Sequence, residues 1–213
     1  MIRLIQSANR AKLAYRHPHE VPHSFICSPP ETKQDCQGYI WRDNKTLFVT
    51  FRGTLNKNDM MANIDVRMQN LKNGIKIHQG FYNQFISVEP HIRDFIDDVS
   101  DVYITGHSLG GSISHVAAVH LAEIYPHIRF TCHTFGSPRV GNQHFADWFY
   151  THVYDHARVV NKFDPIPLLP HGPMWVHLKN RLELDSEDAH WYNLRDHDID
   201  VYINRLKLKA NQA

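Results

Sequence analysis

The side chains best suited to chemistry in this chain are a serine set between glycines in Gly106-His107-Ser108-Leu109-Gly110, an aspartate in Asp164-Pro165, and the histidines that follow it, His171, His177, His190 and His197. A serine hydroxyl becomes a nucleophile when a base takes its proton, an acid orients that base, and hydrogen-bond donors hold the charge developing on the attacked oxygen. Ser108, one later histidine and Asp164 supply the nucleophile, base and acid, falling along the chain in the order serine, acid, histidine, which points to acyl transfer or hydrolysis. A bare Gly-x-Ser-x-Gly is a weak signal. Its bland alternative is a glycine-rich turn with a solvated serine, and the flanking residues discriminate between the two.

Asp101-Val102-Tyr103-Ile104-Thr105 is a β-branched, aromatic-containing run that ends at Gly106, and beyond Ser108 the apolar positions Ile113, Ala117, Leu121 and Ile124 recur on one helical face. Strand, sharp turn, helix is the context this pentapeptide requires. Such a turn forces Ser108 into a strained backbone, while Gly106 and Gly110 leave room where strand and helix approach. The helix then directs its first N–H groups and the positive end of its dipole at the same spot. Ile128 to Phe135 reads as the next strand, residues 141–152 as a helix, and His156 to Asn161 as a third strand. That alternation implies an α/β protein with a mostly parallel central sheet and helices on both faces, its functional groups lying beyond the carboxyl ends of the strands. Asp164 falls just past one such end.

The remaining elements frame this unit. Residues 8–15 suit a short helix, followed by a proline- and histidine-rich connection to about residue 35, and Gly38 to Arg42 with Thr46 to Phe51 reads as a hairpin around Asp43-Asn44-Lys45. Residues 55–74 are polar with scattered apolar positions, which suggests a short amphipathic helix and a loop. Phe81 to Val99 carries helical spacing interrupted by Pro90, so a kinked helix or two short ones are expected. Met174 to Leu184 resembles a short strand or hairpin, and Ile199, Tyr202, Ile203 and Leu206 form the apolar face of a closing helix.

Composition bounds the rest. With 213 residues, 42% hydrophobic and 21% charged, the chain has material for one domain, taken here as residues 1–213. The formal charge of +1 and the absence of basic or acidic blocks argue against nucleic acid and anionic surfaces as partners. The N-terminus has no apolar stretch of the length of a signal peptide, so a cytoplasmic location is expected. Cys27 and Cys36 are close enough in sequence to pair, and Cys132, inside an apolar run, is expected as a buried thiol. His17, His19, Glu20 and His23 cluster without any zinc-ligand spacing, so they read as a solvated loop. Neither a metal nor another cofactor is expected.

The resemblance to a known family rests on several motifs in order. Gly106-His107-Ser108-Leu109-Gly110-Gly111 is similar to the nucleophile motif of the class 3 lipases, the family of the fungal triacylglycerol lipases. Phe51-Arg52-Gly53-Thr54 resembles that family's oxyanion strand end, Ile77-His78-Gln79-Gly80-Phe81 the start of its following helix, Phe135-Gly136-Ser137-Pro138-Arg139-Val140-Gly141-Asn142 a signature after the next strand, and Asn161 to Pro170 its catalytic-aspartate segment. The resemblance implies an α/β-hydrolase fold and a carboxylic-ester hydrolase acting on acylglycerols or related lipid esters. It also implies an oxyanion hole built from the backbone N–H of Thr54, with its hydroxyl, and the N–H of Leu109. One donor from the residue after the nucleophile and one from a nearby loop is also what the chemistry demands.

By the same resemblance, Asn58 to Asp65 aligns with the lid of the fungal enzymes, and residues 56–65, with Met60 and Met61, would make transient contact with a lipid interface. The segment is more polar than an interfacial lid and lacks tryptophan; a helix packed permanently on the body is the alternative. Among the histidines, His171 and His177 follow Asp164 so soon that they read as loop and hairpin. Ala189-His190-Trp191-Tyr192 is similar to the histidine segment of the fungal members, whereas Asp196-His197-Asp198-Ile199 is similar to the bacterial and plant pattern, in which the base opens the final helix. His197 is expected as the base with Asp196 as N-cap, and His190 remains the alternative. A lipase-like module without activity, a non-lipid esterase, a peptidase and an acyltransferase are the competing readings of the whole.

Overall fold

The computed structural model describes residues 1–54, 66–185 and 191–212. Among them a seven-stranded sheet runs in the order β1 (Ser24–Cys27), β2 (Gln37–Asp43), β3 (Thr46–Phe51), β6 (Asp101–His107), β7 (Arg129–Phe135), β8 (Asp155–Asn161), β9 (Arg181–Leu184). The first three strands pair antiparallel and the others parallel, with Phe51 opposite Gly106 and Phe135 opposite His107. The central strands end level with one another, so whatever follows Phe51, His107 and Phe135 gathers at one edge. Val49, Phe51, Val102, Ile104, Phe130, Cys132 and Phe135 have almost no solvent contact, as expected of strands covered on both faces.

Helices α2 (Gln79–Arg93), α3 (Leu109–Ile124) and α4 (Gln143–His152) cover one face through Phe81, Phe85, Ile113, Ala117, Phe145 and Phe149. Helix α3 is buried almost all round and satisfies its small polar side chains internally, Ser114 Oγ donating to the Gly110 carbonyl at 2.7 Å and Ser112 Oγ to the Pro138 carbonyl at 3.1 Å. The other face is covered by α1 (Ile2–Leu13) and α5 (Ile199–Asn211), where Ala8 and Ala11 pack with Phe135, Val159, Tyr202 and Leu206. The alanines let α1 approach closely, and Ser7 Oγ meets His133 Nδ1 of β7 at 2.9 Å.

Several local expectations change. Strand β1 lies in a segment read as a connection; it is a four-residue edge strand, too short for its alternation to show. Helix α1 begins at Ile2, earlier than expected. Of the stretch 55–74 read as a short helix and a loop, residues 55–65 lie outside the described residues, and in the rest β4 (Met68–Asn70) pairs antiparallel with β5 (Lys76–His78) as a small ribbon. Pro90 interrupts nothing: it sits in the last turn of α2, which stops at Arg93. Of residues 174–184, read as a short strand or hairpin, Arg181–Leu184 is a strand, and it pairs parallel with β8. Cys27, Cys36 and Cys132 are all free thiols, and burial pushes those of Cys36 and Cys132 up. No helix among the described residues is long and apolar enough to cross a membrane, and no group of three potential ligands among them could hold a metal ion.

Burial also leaves imidazoles in apolar surroundings. Desolvation lowers His133 to about 4 and His177 to about 3, and pushes His115 well below its usual value, with His156, Arg158 and His177 as positive neighbours adding to it. In the unfolded chain these groups take up protons near pH 6.5. The folded state resists, so the stability they contribute is complete above about pH 6.5 and is lost as pH falls toward 4, on the order of 3 kcal/mol each for His133 and His177. Urea midpoints should therefore drop steeply between pH 6.5 and 4.5; a flat midpoint over that range would show the imidazoles to be solvated.

Candidate active site

The turn at Ser108 is as tight as its sequence demands. Strand β6 ends at His107, α3 begins at Leu109, and Ser108 between them has φ 60° and ψ −131°, a region that side-chain-bearing residues avoid. The surroundings over-determine it: Ser108 N–H donates to the Phe135 carbonyl at 2.9 Å, and its own carbonyl accepts from Gly111 N–H at 3.0 Å. Glycine is obligatory on either side, since a Cβ on Gly106 would lie 2.2 Å from the Gly110 oxygen and one on Gly110 2.2 Å from the Phe51 oxygen. Ser108 thus sits at the N-terminus of α3, whose first N–H groups have no partner within the helix.

Asp164 follows β8 by one turn, its N–H donating to the Asn161 carbonyl at 3.1 Å, and is 2% exposed. Three donors converge on its carboxyl group: Ile166 N–H on Oδ1 at 2.9 Å, and His197 Nδ1 at 2.7 Å with the Tyr202 hydroxyl at 2.6 Å on Oδ2. Because Nδ1 faces the carboxylate it carries the proton, which leaves Nε2 as the lone-pair nitrogen. That Nε2 is buried and meets no hydrogen-bond partner among the described residues. Burial and the neighbouring Asp164 hold the Tyr202 phenol well above its usual range, so it stays a donor.

The segment carrying His197 is a turn tied down from both sides. Asn161 Nδ2 donates to the Asp196 carbonyl at 2.7 Å, and Arg205 forks onto the Asp196 carboxylate at 3.0 and 3.1 Å. Asp196 is therefore an ion-pair anchor and not the helix cap expected of it. Asp198 caps α5, accepting from Asp200 N–H at 2.9 Å. Beneath the acid and base runs Gly136, φ 59°, whose missing side chain is required: a Cβ there would lie 2.7 Å from Asp164 Oδ2 and 3.0 Å from His197 Nδ1.

Leu109 follows Ser108 directly, and Thr54 adjoins it through its neighbour Gly53. Leu109 opens α3, and Thr54 follows Gly53, whose Cα is packed so closely on the elbow that a Cβ would lie 3.1 Å from Ser108 Cβ. His171 is exposed and His177 Nε2 donates to the Pro167 carbonyl, bracing the loop after Asp164, and neither is among the donors on the Asp164 carboxylate. His190 and the expected lid, residues 56–65 with Met60 and Met61, lie outside the described residues. Tyr202 was missed as a functional group, being read only as part of an apolar face. Its hydroxyl reaches the carboxylate from a position that amphipathic spacing already accounted for, so no separate signal marked it.

A serine at a strand–helix elbow and a buried carboxylate–histidine pair, on a mostly parallel sheet covered by helices, define this chain as a protein of the α/β-hydrolase class. Residues 48–173, more than half of the chain, match the family model Lipase (class 3), and the chain belongs to that family. It is 32% identical over 150 residues to the secreted mono- and diacylglycerol lipase 1 of Fusarium solani, a match covering 65% of this chain and 44% of the relative. It is 30% identical over 152 residues to a lipase of Rhizopus niveus, covering 64% of this chain and 38% of the relative. The matches thus span less than half the length of these curated relatives. Among solved structures, the lipase of Rhizopus microsporus var. chinensis superposes with a TM-score of 0.72 at 26% identity over 90% of this chain and 76% of that one. The Rhizomucor miehei lipase bound to its propeptide gives 0.76 at 21% identity over 87% and 67%. A triacylglycerol lipase whose catalytic centre is described as a serine protease triad gives 0.74 at 23% identity over 88% and 80%.

Proposed function

We propose that the chain is a serine carboxylic-ester hydrolase acting on acylglycerols or related lipid esters through an acyl-enzyme on Ser108. The observation that carries this reading is the buried 2.7 Å pair of His197 Nδ1 and Asp164 Oδ2 beside the strained serine. Ser108 Oγ attacks the ester carbonyl carbon while His197 Nε2 takes its proton. The oxyanion of the tetrahedral intermediate is held by the N–H groups of Leu109 and Thr54 in the field of the α3 dipole. Collapse expels the alcohol, which takes the proton back from His197, and leaves the acyl ester on Ser108. Water deprotonated by the same nitrogen then releases the acid. Asp164 keeps the imidazole in the productive tautomer and offsets its transient positive charge.

The family and the relatives named as lipases support the lipid side of this reading. An open cavity of about 510 Å³ is lined by Val66, Met68, Lys76, His171, Met174 and Trp175, and by none of Ser108, Asp164 and His197. One of its walls belongs to the loop that continues from Asp164. The test is a panel of esters from short to long acyl chains, assayed with and without a p-nitrophenyl organophosphate, with mass mapping of the adduct. Hydrolysis that rises with chain length and stops when Ser108 is phosphorylated is the expected result; labelling at another residue would remove the assignment.

A further inference from the structure

Tyr15 follows the C-terminus of α1, far in sequence from Ser108, Asp164 and His197, yet its hydroxyl lies against the elbow. A Cβ on Gly53 would be only 2.3 Å from that oxygen, and Gly53 N–H donates to it. The same oxygen lies 2.8 Å from His107 Nδ1. On the other side of the ring, His107 Nε2 lies 2.7 Å from the backbone carbonyl of His197, and the two imidazoles pack with centroids 4.6 Å apart. A carbonyl can only accept, so His107 Nε2 carries the proton and Nδ1 is the acceptor. The phenol oxygen already accepts from Gly53, so its own proton points to Nδ1. Burial pushes the Tyr15 phenol up, with Asp198 adding to that and Arg52 opposing it, and it stays a donor. Every polar atom named in this chain of contacts is satisfied with His107 uncharged.

We propose that Tyr15 and His107 are positioning residues of the site, a single hydrogen-bonded relay that holds the oxyanion strand end and the base in register. One end fixes the peptide of Gly53, next to Thr54. The other end fixes the peptide of His197, whose ring must meet both Asp164 and Ser108. Helix α1 thereby becomes a strut between two parts of the site that arrive on separate segments of the chain. This inference rests on the reading of Ser108, Asp164 and His197 as a triad.

The experiment is steady-state kinetics on a soluble ester, normalised to active sites by organophosphate titration, for Tyr15→Phe, His107→Leu, His107→Gln and the double variant Tyr15→Phe/His107→Leu. Phenylalanine keeps the ring, so the fold is retained while the relay is cut. The expected result is that Tyr15→Phe lowers kcat about 10- to 100-fold with KM within about twofold. His107→Leu should lower it at least as much, and the double variant no further, since the two act as one unit. His107→Gln should recover activity over His107→Leu, because its carboxamide N–H can reach the His197 carbonyl. In the organophosphate adduct, the low-field proton resonance of His197 Nδ1 should shift in Tyr15→Phe. Wild-type kcat in Tyr15→Phe, multiplying effects in the double variant, or losses confined to KM would each overturn the relay. Full activity in Ser108→Ala would instead remove the triad reading beneath it, so the two failures are distinguishable.

Discussion

Ser108→Ala is expected to lower ester hydrolysis on the order of 10⁵- to 10⁶-fold while leaving the chain folded, because with no hydroxyl there is no nucleophile for His197 to activate. Residual turnover would come from the oxyanion donors and from binding alone. The backbone adds a second, independent expectation. With φ 60° and ψ −131°, residue 108 occupies a conformation open to glycine and strained by about 1–3 kcal/mol for any residue with a Cβ. Ser108→Gly should therefore melt at a higher temperature than Ser108→Ala, although both are inactive. Calorimetry on the two variants tests this, and equal melting temperatures would mean that the elbow relaxes once the serine is gone.

Asp164→Asn is expected to lower kcat about 10⁴-fold with little change in thermal stability. The carboxamide is nearly isosteric, and with its oxygen kept on Ile166 N–H its NH₂ stands in the place of Oδ2, facing both His197 Nδ1 and the Tyr202 hydroxyl, which must then accept rather than donate. The imidazole must respond by moving its proton to Nε2, the nitrogen that has to receive the proton of Ser108. The base is then blocked and its cation unsupported. Nitrogen NMR of labelled histidine would read the tautomer directly. A kcat loss below tenfold, with the native tautomer retained, would mean that another group orients the base.

These residues were legible in the sequence to different degrees, for physical reasons. Ser108 was marked because its chemistry and its geometry share one short stretch: strand β6, the elbow and helix α3 are contiguous, and local sterics dictate the glycines. Asp164 was marked by a strand end and a proline. His197 emerged only as one of several histidines, since what brings it to Asp164 is the docking of α5 on α1 and the sheet, through Tyr202, Ile203 and Leu206 against Ala8 and Ala11. Tertiary packing of that kind leaves no local trace. The exchange of roles between Asp196 and Asp198 has the same origin: both suit a helix start, and only the position of Arg205 in the folded chain makes one an ion-pair partner and the other a cap. Tyr15 and Tyr202 act through single hydroxyl groups across 92 and 38 residues of chain, and no periodicity encodes such a contact. The mostly parallel sheet and the helix faces followed from alternation and amphipathic spacing, whereas the short strands β1 and β4 were too brief for either pattern to register.

Gly136 has no functional group, yet the acid and the base lie directly on it, with Asp164 Oδ2, His197 Nδ1 and the Tyr202 hydroxyl all within about 3 Å of where a first side-chain atom would stand. A random-mutagenesis screen for protein that accumulates normally but no longer clears an ester plate should therefore recover position 136 beside positions 108, 164 and 197. Even alanine, the smallest possible change, would wedge the acid–base pair apart without touching either partner's chemistry. Under the proposed mechanism, a position without a side chain is then as constrained as the residues that would react.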